Sequence, residues 1–367
     1  MDLRRPERGT ASFDPMPRHS LVLPGGVLLA VLACADVSDP LPPPVELVLV
    51  PDSAVPDLSV FPAADPGGLT PVGLLPGSTP AAVATRGRLA AIPLGAADAV
   101  EILELDGIGI LRVVNFPEGS EPAEAAFTAD TVLFVTLAGL HRVARIDLVT
   151  GDTTSIEVGS EPRAIVFTRG RLFVLSANTE PCESGTDRCS RGPSWIDVLD
   201  PDAFAPPGPA DSIGLPGSVN ARAATVGNDG QLYVIAEGDA AAPDGRLAIV
   251  DPVREEEVAT FGGLGVRPAR SAPLGDRLLI ASPTEGLMEF NTRTRQFTRG
   301  AGNGVPLSGA VGVATDAEGR VWVVRQGACP SGPGTLTQLR SDLTAVRDLP
   351  LGACPTAAAV ALVPRED

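Results

Sequence analysis

Residues 133–167, LFVTLAGLHRVARIDLVTGDTTSIEVGSEPRAIVF, decide how the rest of the chain is read. Short apolar runs alternate with Gly, Asp and Thr turns at spacings that suit strands of about five to eight residues rather than helices. The stretch divides into a second strand (131–138), a third (141–148) and an outer one (153–159), with the first strand of the unit at 124–128 just before it. It closes on Gly159–Pro162, and that Gly-x-x-Pro phrase recurs at Gly77–Pro80, Gly119–Pro122, Gly265–Pro268 and Gly352–Pro355, with degenerate copies at Gly217–Asn220 and Gly304–Leu307. Steps of roughly 40–60 residues between copies fit one four-stranded blade per step. The predicted fold is therefore all-β, a seven-bladed β-propeller of four-stranded blades.

Inner strands of such a ring crowd the axis and should be narrow as well as apolar. AAVAT (81–85), AEAAFT (123–128), ARAATV (221–226), AVGVAT (310–315) and TAAAVALV (356–363) all qualify. The last has no strands after it. Its three partners are available at the other end, as 46–50, 58–63 and 69–75, so strands from the N- and C-terminal parts of the chain are expected to share one blade. That closure removes free sheet edges. Hairpin turns are marked by Thr85-Arg86-Gly87, Thr168-Arg169-Gly170, Asn228-Asp229-Gly230 and Asp316–Gly319. Asp147, Asp200 and Asp251 end third strands, where a turn-capping role is expected rather than a carboxylate site.

The unit at 124–167 resembles the YVTN-type propeller repeat (NHL- and lactonase-like), in which a Tyr-Val-Thr-Asn strand precedes V-x-x-I-D, a Thr-Gly turn and a closing V-G-x-x-P. Shorter matches lie at RLFVLSAN with WIDVLD (171–178, 195–200), QLYVIAEG with RLAIVD (231–238, 246–251) and RVWVVRQG (320–327), while the unit around 278–295 departs most. Some propellers that resemble this one are lactonases, lyases or quinoprotein dehydrogenases, whose sites rely on His, Glu, Asn or a divalent metal near the channel.

Of 367 residues, 28 are basic and 45 acidic, and every basic one is Arg. A chain without lysine has no Schiff-base or P-loop lysine chemistry. The acidic balance, with a pI near 4.6, excludes a nucleic-acid partner, which needs clustered positive charge. The segment SLVLPGGVLLAVLA (20–33) is apolar but short for a span of about 20 residues. With Arg18 and His19 before it and Val31-Leu32-Ala33-Cys34 at its end, residues 1–33 read as a bacterial lipoprotein signal peptide. Cys34 is the lipid-attachment residue, the start is Met1 or Met16, and the competing reading is an ordinary signal peptide whose Cys is incidental. Residues 34–44 then form a Pro-rich tether, and 45–367 the propeller. The processed chain would carry 24 basic and 42 acidic residues, a net charge of −18. The expected setting is the bacterial cell envelope, facing the periplasm or the cell surface, with the membrane reached through lipid.

Four further cysteines suit disulfides in an exported protein. The repeat alignment selects Cys182 with Cys189 and Cys329 with Cys354; zinc fits poorly, because no pair of C-x-x-C knuckles is present. The long insertions 178–194, 237–245 and 325–334 fall in second-to-third loops, on the face that propellers commonly use for binding. Bridges there would preorganise that face or protect its loops from proteolysis.

Arg163, Arg222 and Arg270, with Glu124, follow the linker Pro or its equivalent and are expected to ring one mouth of the central channel. They could receive a carboxylate or phosphate, or pair with neighbouring acidic groups such as Glu124 or Glu161. His141 is the one imidazole left after processing, on a strand away from the channel. No catalytic residue, resident metal or cofactor is predicted, with a calcium-type cation as the exception to keep in view, although no D-x-D-x-D-G loop is present. Trp195 and Trp322 read as packing residues. The leading function is a binding or scaffolding module for a protein or small anionic ligand; the alternative is a lactonase-like hydrolase or lyase working at the channel mouth.

Overall fold

The computed structural model describes residues 43–182, 188–239 and 242–364. The proposed signal peptide, Cys34 and most of the tether lie outside them. Seven four-stranded antiparallel sheets follow one another, and a two-stranded antiparallel ladder (Thr179–Pro181 with Arg188–Ser190) pairs with none of them. The inner strands are Ala84–Arg86 (blade 1), Pro122–Ala129 (blade 2), Pro162–Thr168 (blade 3), Ala221–Val226 (blade 4), Arg270–Leu274 (blade 5), Ala310–Thr315 (blade 6) and Ala359–Val363 in the shared blade. Each touches the inner strand of the next blade, and Ala359–Val363 touches Ala84–Arg86, so the ring closes. The fold is a seven-bladed β-propeller.

Closure is built as the orphan strand predicts. In the shared blade the order from the outside is Thr70–Gly73, Asp57–Pro62, Val45–Asp52, Ala359–Val363. Leu47 pairs with Ala361 and Val45 with Val363. The paired inner strands of blade 1 and of the shared blade are shorter than 81–85 and 356–363, since ladder pairing begins only at Ala84 and Ala359.

The core of the described residues is divided. Seven buried apolar clusters lie one between each pair of adjacent blades, among the described residues. The two-residue period of a strand explains how one segment serves two of them. In Leu232–Ala236, Leu232, Val234 and Ala236 face blade 3, whereas Tyr233 and Ile235 face blade 5. Second and third strands are therefore buried on both faces, which is why they read as continuous apolar runs. Trp322 is fully buried between blade 6 and the shared blade, its indole N–H donating to Asp316 at 3.0 Å. Trp195 is half-buried and donates to Asp197 at 3.2 Å. Both are packing residues.

The expected turn aspartates cap their turns. Asp147 accepts from the amides of Val149 and Thr150, Asp200 from Asp202 and Ala203, and Asp251 from Val253 and Arg254. Those amide donors hold the three carboxyls below the usual Asp range.

The linker glycines have two different causes. Gly119 sits at φ 77°, a left-handed conformation that side chains disfavour. Gly159 has no such angle, but a Cβ there would lie 2.6 Å from the Trp195 ring. The residue before the linker Pro is also left-handed, with φ of 46° at Glu121, 54° at Glu161 and 51° at Arg267. Asn220 takes that conformation too, at φ 52°, so the degenerate copy aligns one residue later than its Gly suggests. Ala221, not Asn220, stands where Pro122 and Pro162 do, because the outer strand of blade 3 runs on to Val219 and absorbs Gly217.

Candidate functional site: the channel mouth

The start of each inner strand brings one residue to the channel at the linker end. Ala81, Ala123, Arg163, Arg222, Ala269, Val311 and Thr356, one from each blade, line a cavity of about 390 Å³ together with Glu237, Arg267, Arg270 and Gln326. Arg163, Arg222 and Arg270 thus share one cavity, and they come from consecutive blades. Glu124 is drawn to it through Arg270.

Their registers are not equivalent, although all three follow the linker Pro or its equivalent. Arg163 and Arg222 are bulge residues, one step after Pro162 and Ala221, at the point where each ladder slips. Arg270 is two steps after Pro268 and pairs with Ala281. Glu124 is likewise two steps after Pro122. Arg270 and Glu124 therefore occupy the same place in opposite walls of the channel, and the Arg270 Nη1 to Glu124 Oε2 distance is 2.9 Å. Arg270 Nη2 also donates to the Ala81 carbonyl at 2.8 Å, so one guanidinium ties blade 5 to blades 1 and 2.

Arg222 donates through Nη1 to Glu237 at 2.8 Å, and Glu237 also accepts from Asn220 at 3.1 Å. Arg267 Nε lies 3.7 Å from the same carboxylate. Arg163 is bonded to Glu161, which also accepts from the Thr179 hydroxyl. The pairing with neighbouring acids foreseen for these arginines is realised at Glu124 and Glu161, whereas the sequence reading overlooked Glu237 and Arg267. The signal for Glu237 was its place at the end of a second strand, under a linker that lacks the Pro.

Glu161 and Glu237 are buried, and Glu124 is nearly so, which in a low-dielectric site requires a cationic partner. In this cluster four guanidiniums face three carboxylates. A concave site whose charges are already held in place can receive a small anion without reorganising.

His141 is exposed, at φ 56°, and its Nδ1 accepts the Glu161 amide at 3.0 Å. Its role is to hold a linker. Among the described residues no three His, Cys, Asp or Glu side chains gather as a metal site would need.

Both predicted disulfides form, with Cα separations of 5.1 Å for Cys182–Cys189 and 5.3 Å for Cys329–Cys354. Cys329 follows the second strand of blade 6 and Cys354 lies in the linker to the shared blade, so that bridge stiffens the linker face near Gln326 and Thr356. Disulfides suit an oxidising, extracytoplasmic compartment. Among the described residues no helix is long and apolar enough to cross a membrane.

No protein family description matches the chain, and no curated protein does. Solved structures do. Hydrazine synthase of Kuenenia stuttgartiensis aligns at a TM-score of 0.60 and 16% identity, covering 78% of this chain and 92% of that one. A protein of unknown function from Bacteroides caccae aligns at a TM-score of 0.50 and 13% identity, over 88% of this chain and 100% of that one. At such identities the likeness is one of fold.

Proposed function

We propose that this protein is a lipid-anchored, extracytoplasmic propeller of the YVTN type that acts as a binding module and receives a small anion at its channel mouth. The observation that carries the reading is the gathering of Arg163, Arg222, Arg267 and Arg270 around one cavity in a protein of net negative charge. Three carboxylates hold these guanidiniums in place, and a guanidinium edge exposed in such a concave, partly desolvated mouth can take an anion. The envelope location is supported by the two disulfides and by the segment ending at Cys34. The YVTN kinship is supported by the clearest repeat, whose VTL, RID and TG elements fall on the second strand, the third strand and the turn that follows it.

The test is the melting temperature of the full-length protein in detergent, titrated with acetate or phosphate against a chloride control at constant ionic strength. A saturable rise that disappears in Arg222→Gln supports the anion site. A rise that persists unchanged in Arg222→Gln, or no rise with either anion, rejects it.

A further inference from the structure

The hydrogen bonds of the four guanidiniums distinguish their roles. Arg222 is half-exposed and uses Nη1 alone for Glu237. Its Nε and Nη2 carry no protein bond among the described residues. Those two donors form the side edge of the guanidinium, the edge that takes both oxygens of a planar carboxylate in parallel. Arg270, by contrast, spends both Nη groups, on Glu124 and on the Ala81 carbonyl. Arg163 is committed to Glu161.

The ring order divides the mouth into unlike halves. Blades 3, 4 and 5 bring the arginines, whereas blades 6, 1 and 2 bring Val311, Ala81 and Ala123, with the uncharged polar side chains of Thr356 and Gln326 among them. A ligand seated on the open edge of Arg222 extends its other end toward small apolar side chains. A second carboxylate at that end would meet no uncommitted cation: the wall offers Ala, Val, Thr356 and Gln326, and the Arg270 guanidinium is already taken by Glu124 and the Ala81 carbonyl. The cavity, about 390 Å³, is at the small end of the roughly 300–1,000 Å³ of ordinary ligand pockets.

We infer that the ligand class is a short aliphatic monocarboxylate, its carboxylate held side-on by Arg222 Nε and Nη2 and its chain lying against Ala81, Ala123 and Val311. This inference rests on the reading of the mouth as an anion site. It makes Arg222 the recognition residue and Arg270 a fixed part of the wall.

The experiment is isothermal titration of the full-length protein with acetate, butyrate, hexanoate, succinate and inorganic phosphate. Affinity should rise from acetate to butyrate by roughly fourfold for each methylene buried, and succinate should bind more weakly than butyrate. Arg222→Gln should abolish butyrate binding while the circular-dichroism melt stays cooperative, at a temperature lowered by the loss of the Glu237 ion pair. If that variant does not fold, Arg222→Lys keeps the charge without the fork and should bind butyrate at least tenfold more weakly; undiminished binding overturns the inference. Phosphate, acetate and butyrate binding equally, all through Arg222, would leave the anion site standing and overturn the monocarboxylate. No binding by any of the five would overturn both.

Discussion

Arg270 and Glu124, 146 residues apart in sequence, meet across the channel at 2.9 Å and join blade 5 to blade 2. Neighbouring blades already share apolar cores, so a cross-axis ion pair adds a connection that the ring packing does not provide. The two side chains are 27% and 14% exposed, sheltered enough for the pair to matter and wet enough to limit its worth. Arg270→Ala and Glu124→Ala should each lower stability by about 1–2 kcal/mol, and the double variant should cost less than their sum by about 1 kcal/mol. Denaturant unfolding of the three variants measures that coupling; strict additivity would show that the two residues act separately.

Closure through Ala359–Val363 makes the C-terminal strand an inner wall of the ring. Deleting residues 356–367 removes the partner of Val45–Asp52 and opens the cluster between the shared blade and blade 1. The whole propeller should then melt at a much lower temperature, seen as a shift of the main calorimetric transition. Retention of the parental transition would mean the terminal strand contributes nothing to closure.

The two disulfides should differ in effect because they close different parts of the fold. Cys329–Cys354 spans 25 residues and pins a linker to a loop, worth up to about 3.5 kcal/mol by loop-closure entropy. Cys182 and Cys189 are separated by only 7 residues, and their bridge ties the two strands of a ladder that belongs to none of the blades. Replacing both Cys329 and Cys354 with Ser should lower the melting temperature clearly, whereas replacing Cys182 and Cys189 should leave it nearly unchanged.

Burial raises the Glu101 carboxyl above the usual Glu range, against the amide of Leu75 that donates to it at 2.9 Å. A carboxyl whose folded pKa is raised binds its proton more tightly in the folded state. Its ionisation therefore costs stability as pH climbs from the ordinary Glu pKa through the raised one, and the full cost is present above both. Glu101→Gln keeps an acceptor for Leu75 and removes the charge. It should stabilise the protein at neutral pH, with the gain vanishing below the ordinary Glu pKa; melting curves across that pH range check the sign.

The proposed lipid anchor is testable at Cys34. Cys34→Ser should abolish labelling by a radioactive fatty acid and release the protein from the membrane fraction. Unchanged partition would refute a lipid anchor at this residue.

The fold was legible because repetition multiplies weak signals. One Gly-x-x-Pro says little, but copies at blade spacing, with small residues after each, specify inner strands and a ring. The disulfide pairing followed from the same alignment. What stayed hidden is what differs from blade to blade. The linker amides need acceptors, and each blade supplies another one: Asp98 for Gly119 and Glu121, Asp197 for Gly159, Asp52 for Cys354, and the Ser194 hydroxyl for Ala221. No common motif marks them. The site was half visible for a related reason. The arginines stand at readable positions, but Arg163 and Arg222 fall one residue after Pro162 and Ala221 whereas Arg270 falls two after Pro268, which sets it one step deeper, and Glu237 reaches the mouth from another strand.

The most direct test of the account is a crystal of the protein soaked with 3-bromopropionate and measured at the bromine absorption edge. An anomalous peak is expected inside the channel mouth, on the Ala81 and Val311 side, with the carboxylate within hydrogen-bond distance of Arg222 Nε and Nη2. Bromine found only on the outer surface, with the Arg222 edge unvisited in a crystal whose mouth is open to solvent, would contradict it.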